Sequence, residues 1–133
     1  MIPRATKPAA RRLYAGSTIV EGKLVTGATG AVTSWTGYGI NAIERTSQGL
    51  YTFTLEDQYV RLVSWHASQL CGSLQELTFM LKSEDVDNPT KASRTILLWT
   101  VTTATATDPT NPSTIFVSFT LQSSSLPLGN TLT

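Results

Sequence analysis

The chain has 133 residues, enough for one domain with one core and too few for two. Apolar residues make up 41% and charged residues 14%, the latter well below the roughly 25% of an ordinary soluble domain; Thr and Ser fill the gap, as suits pleated strands and either a surface that is covered in the working state or plain solubility through hydroxyls. A single cysteine, Cys71, excludes an internal disulfide, and no apolar run approaches the ~20 residues of a membrane-spanning helix, so a soluble protein made in a reducing cytoplasm is expected.

The formal charge of +1 divides unevenly along the chain. Arg4, Lys7, Arg11 and Arg12 stand in the first twelve residues without an acid, while the other 6 cations face 9 acids, so a basic arm precedes a mildly acidic body. Residues 1–12 also carry two prolines and no apolar period, which predicts an extended arm. A body over residues 13–123 and a loose polar tail over 124–133 follow. Leu13 to Gly22 reads as a first strand closed by glycines, and Gly27, Gly30, Gly37 and Gly39 then predict loop with short strands up to Ile40.

The clearest period lies in Gly49-Leu50-Tyr51-Thr52-Phe53-Thr54-Leu55-Glu56, where Tyr51, Phe53 and Leu55 alternate with Thr52, Thr54 and Glu56 as a half-buried strand requires. Tyr59 to His66 and Leu74 to Lys82 are two further runs, the second with Leu77, Phe79 and Leu81 on one face, and Gly72-Ser73 is a turn between them. Ser83 to Ser93 is a polar loop. Arg94 to Val101 and Ser113 to Leu121 alternate again and belong at the centre of a sheet, separated by a long exposed loop from Thr102 to Pro112. No segment has a helical period. This is an all-β chain, and its short strands punctuated by Gly and Pro predict two packed antiparallel sheets, a β-sandwich or jelly roll.

Chemistry is hard to find. The one histidine, His66, shares a strand face with Ser64, but no motif frames either residue and no oriented acid is in view, so a catalytic role is not expected. One His and one Cys make a structural zinc site improbable, and Glu84-Asp85-Val86-Asp87-Asn88 lacks the glycine and closing glutamate of a calcium loop; no metal or cofactor is expected. Gly27-Ala28-Thr29-Gly30 lacks the lysine and following helix of a phosphate cradle. Cys71, between apolar neighbours, reads as a buried inert thiol. A body without a basic aromatic stripe argues against a direct nucleic-acid role.

The segment Ile43-Glu44-Arg45-Thr46-Ser47-Gln48-Gly49-Leu50-Tyr51-Thr52-Phe53-Thr54-Leu55-Glu56-Asp57-Gln58-Tyr59, with the final Ile115-Phe116-Val117-Ser118-Phe119-Thr120-Leu121, resembles small virion proteins of tailed bacteriophages. In these an Arg-Thr, a turn glycine, a Tyr-Thr strand and an Asp-x-Tyr succeed one another before a long polar loop and a Val-x-Phe-Thr-Leu strand. Specific residues match around Arg45 to Tyr59, and the layout extends over Tyr14 to Ser123. The resemblance implies a capsid cement, or decoration, protein: a jelly-roll-like sandwich on the exterior of an HK97-type shell, with the major capsid protein and copies of itself as partners, as a homodimer or alternatively a homotrimer, and no membrane. Arg4, Lys7, Arg11 and Arg12 are then the capsid-binding arm. A tail or head-fibre module that stacks sugars on Trp35, Tyr38 or Trp65 is the alternative, with core packing the plainer role for those aromatics and for Trp99. Arg45 is expected to pair locally, with Glu44 or Asp57.

Overall fold

The computed structural model describes residues 16–123; the arm residues Arg4, Lys7, Arg11 and Arg12 and the tail over 124–133 lie outside them. Nine strands and one short 3-10 turn follow in order: β1 (Ser17–Thr26), β2 (Val32–Tyr38), β3 (Ile40–Ser47), β4 (Leu50–Leu55), β5 (Arg61–Cys71), β6 (Thr78–Glu84), the turn Lys91–Ser93, β7 (Thr95–Thr102), β8 (Thr105–Ala106) and β9 (Ser113–Gln122). They form two antiparallel sheets, four strands in the order β2-β1-β9-β5 and five in the order β3-β4-β7-β6 with β8 beside β7. Among the described residues there is no α-helix, and no helix long and apolar enough to cross a membrane.

Period-two alternation places the core. From the four-stranded sheet, Val20, Leu24, Ile115, Val117, Phe119 and Leu121 turn inward to meet Ile43, Tyr51, Phe53, Leu55, Ile96 and Leu98 of the other sheet. Phe53 and Phe119 touch edge to face across the gap, ring centres 5.4 Å apart, a geometry that matches the positive edge of one ring to the negative face of the other. The expected strands at β4, β7 and β9 are present, β4 with the predicted buried face of Tyr51, Phe53 and Leu55, and β7 and β9 lie inside their sheets.

Several sequence expectations are corrected. Gly22 does not close a strand: it sits mid-β1 opposite Gly37, and a Cβ there would come within 2.8 Å of the Ile40 Cδ1. The two glycines leave a seat for β3 side chains, and β1 runs on to Thr26. The Tyr59 to His66 run becomes an eleven-residue strand reaching Cys71, and β5 and β6 lie in different sheets, so residues 72–77 form a crossing and Leu74 stands fully exposed. Cys71 is half-buried at the end of β5, not enclosed. Trp99 lies on the outer side of β7, where the Lys82 ammonium sits 5.0 Å above its ring.

Candidate functional site

Two constellations stand out, one holding loops together at an end of the molecule and one facing solvent. The first joins Arg45, Gly49 and Tyr51 to Gly30 and Asp108. Gly49 turns β3 into β4 at φ +65, and a Cβ on it would lie 2.5 Å from the Thr107 backbone nitrogen and 2.8 Å from the Thr100 carbonyl oxygen, so only glycine fits. The chain leaving β7 makes a two-residue turn through Thr103 and Ala104, both at positive φ (50 and 65), and β8 pairs straight back onto β7, the backbone of a primed hairpin turn. The Thr102 to Pro112 segment is therefore not an open loop: β8 folds it back and carries Asp108 to the β3–β4 turn.

There the Asp108 carboxylate accepts from Arg45 twice, at 3.0 Å from Nε and 2.7 Å from the terminal nitrogen, and from the Gly49 amide at 2.7 Å. The Asp108 side chain also lies against Gly30, where a Cβ would collide with it at 2.6 Å, and the Tyr51 hydroxyl donates to the Gly30 carbonyl at 2.5 Å. Burial opposes ionisation of Asp108, but the Arg45 and Gly49 hydrogen bonds outweigh it and hold the carboxyl below its usual value. Burial pushes the Tyr51 phenol up, so it remains the proton donor. Arg45 thus pairs with a residue 63 positions away, not with Glu44 or Asp57. A forked guanidinium on a carboxylate that also takes a backbone amide is a structural clasp.

The second constellation is the outer face of the four-stranded sheet. In register across β2, β1, β9 and β5 lie Tyr38, Glu21, Ser118 and His66, and in the next row Thr36, Lys23, Phe116 and Ser68. The rows line a shallow groove of about 560 Å³. Tyr38 is 78% exposed and Phe116 41%, with Ile19 and Leu70 also exposed on this face. Exposed apolar side chains grouped on one face mark interaction surfaces, whereas scattered ones are ordinary. Of the aromatics singled out in the sequence, Tyr38 belongs to this face, while Trp35 and Trp65 pack partly against the core. Phe116, Ile19 and Leu70 were missed; the signal for Phe116 was available, since Ile115-Phe116-Val117 places an apolar residue on both faces of β9.

The remaining candidates are not brought together among the described residues. His66 is exposed on the outer face with Ser64 nearby, and no side chain hydrogen-bonds it among the described residues. In the acidic loop, Asp85 accepts from the Thr95 amide at 2.6 Å and Glu84 from the Val86 amide at 3.1 Å, so these oxygens shape the turn. No group of three or more His, Cys, Asp or Glu able to hold a metal occurs among the described residues. The Ser113 hydroxyl and the Ser73 amide hold the half-buried Cys71 thiol below its usual value. In comparison with known proteins, no family model matches the chain, and no match was found among curated proteins or solved structures.

Proposed function

We propose that this chain is a non-catalytic virion structural protein, a cement or decoration protein that binds the exterior of an HK97-type phage capsid and strengthens contacts between capsomers. The observation that carries the reading is the outer face of the four-stranded sheet, a rigid surface with exposed Ile19, Tyr38, Leu70 and Phe116 and with Glu21 and Lys23 as the charges in its central rows. In this reading the two sheets form a jelly-roll-like β-sandwich; in support, β1 and β9 pair in the middle of one sheet, and the chain passes between sheets after β2, β4, β5 and β8. Arg4, Lys7, Arg11 and Arg12 extend onto the shell as the basic arm. The Gly16 carbonyl is hydrogen-bonded by Ser123, so the body ends where it begins and both terminal segments leave from one place. An oligomer that grips several shell subunits makes later contacts intramolecular, and avidity rises by ~10²–10⁴ over one copy.

The test is to mix the protein with undecorated shells and follow co-sedimentation and shell melting, with and without residues 1–12. Saturable binding that raises the shell melting temperature and weakens when the arm is removed is expected. Absence of binding would overturn the reading and favour the alternative, a fibre module for a host surface glycan. One feature favours that alternative specifically: Tyr38 and Phe116 flank Glu21, Lys23 and His66 in the groove, an aromatic platform beside hydrogen-bonding groups. A glycan array read with Tyr38→Ala as control tests it.

A further inference from the structure

The two sheets treat their edges differently. In the five-stranded sheet both edge strands are charged, β3 with Glu44 and Arg45 and β6 with Lys82 and Glu84. Charges on edges keep them from pairing with other chains. In the four-stranded sheet β2 carries no charged residue, and β5 carries none from Leu62 to Cys71. Among the described residues no strand pairs with the outer side of β5. It is one residue longer than β1 and β9, the next longest strands, and after its single bulge at Val63 it runs in unbroken register with β9 from Ser64 to Cys71. Half of its N–H and C=O groups therefore point away from β9 in a straight row without a partner strand.

We infer that β5 is a self-association seam, pairing antiparallel with β5 of a second copy to make one eight-stranded sheet. The chemistry of the occupant follows from the edge, because a bare row of alternating backbone donors and acceptors is matched by another extended strand. A second copy is singled out by symmetry. An antiparallel strand pairing with itself closes on a two-fold axis, whereas β2 pairing with β5 of another copy is head-to-tail and does not close as a dimer. β2 is also the poorer edge: it has seven residues, its register with β1 is broken near Thr26, and it leads through Gly39 directly into the other sheet.

The register is constrained too. For the two outer faces to be continuous, outward residues must oppose outward residues, and the overlap of Ser64 to Leu70 is then centred on Ala67, with His66 opposite Ser68 of the second copy. Four of the eight residues from Ser64 to Cys71 turn their backbone outward on each strand, so the seam makes about eight hydrogen bonds at most. It also brings together the two outer faces with their Tyr38, Phe116 and Leu70 side chains. The inference does not depend on decoration of a shell, and its test uses none.

The full chain is examined by analytical ultracentrifugation over a dilution series and by amide hydrogen exchange at both ends of that series. A monomer–dimer equilibrium is expected, with protection of alternate amides from Ser64 to Leu70 rising with concentration. The double substitution His66→Glu with Ser68→Glu sets carboxylates opposite one another in any register centred on His66, Ala67 or Ser68. It should weaken the dimer by about tenfold or more, while Ser34→Glu with Thr36→Glu on β2 leaves it unchanged. Both pairs are exposed, so circular dichroism of each variant should match the parent. A monomer at every concentration overturns the inference. So does protection of β5 that is independent of concentration, which would mean that a segment of the same chain covers the edge, and so does a dimer whose new protection falls on β2. Shell binding is read separately, by co-sedimentation, so failure of the seam and failure of the shell reading are distinguishable.

Discussion

The two sheets share one core but meet solvent in opposite ways. The five-stranded sheet has charged edges, and the turn between its first two strands is locked by a clasp in which Arg45, Asp108, Gly49, Tyr51 and Gly30 satisfy one another. The four-stranded sheet has an edge strand without charge over ten residues and an outer face that leaves Ile19, Tyr38, Leu70 and Phe116 in water. Groups already hydrogen-bonded to one another within the fold gain little from a partner, whereas exposed apolar groups and a row of open backbone groups gain when a partner covers them. Conspicuous sequence motifs can therefore mark the scaffold. Here Arg45, Gly49 and Tyr51, conspicuous in the sequence, belong to the clasp, and the candidate interaction surface lies on the other sheet.

This contrast separates substitutions that unfold the protein from those that disconnect it. The largest loss of stability is expected for Phe119→Ala, which empties the contact with Phe53 between the sheets and should cost about 3–5 kcal/mol in chemical denaturation. Gly49→Ala comes next at about 3 kcal/mol, because the new methyl meets backbone atoms that belong to two strands and the residue must keep a positive φ. Asp108→Ala should cost about 1–3 kcal/mol by leaving the partly buried Arg45 guanidinium and the Gly49 amide without their acceptor.

Asp108 also gives the clasp a pH dependence with a definite sign. Its folded pKa lies below the ordinary value of 3.8, so its contribution is complete above that value and is lost as pH falls through the lower folded one. An acid titration of stability should show the loss in wild type and a smaller one in Asp108→Asn. Smallest of all, Tyr38→Ala with Phe116→Ala should change stability by no more than about 0.5 kcal/mol, since both side chains are exposed, and yet abolish partner binding. A large stability loss from that pair would collapse the distinction between scaffold and surface.

Much of the architecture was legible where one face is wet and the other dry. Tyr51, Phe53 and Leu55 and the alternation in β9 place their strands correctly because period-two burial leaves a direct trace. Elsewhere the trace is ambiguous. Gly22 reads as a breaker from sequence but is a packing choice made for Ile40, a residue of another strand. Trp99 alternates as a core residue would, yet Ile96, Leu98 and Thr100 fill the buried face of β7 and Trp99 covers the outside with Lys82. The partner of Arg45 was invisible because Asp108 sits in a polar segment that folds back only through the Thr103-Ala104 turn, and neither residue is one that usually takes positive φ. A charge-poor edge can be seen in the letters of β5, but that β5 is an edge at all depends on strand order.

The central claim is that the outer face of the four-stranded sheet is the surface this protein works through. Its most direct test is co-sedimentation of undecorated phage shells with the wild-type protein and with the Tyr38→Ala, Phe116→Ala double variant, after denaturation curves have established equal stability. Saturable binding by the wild type and loss of binding by the variant are expected. Equal binding by both proteins would contradict the central claim.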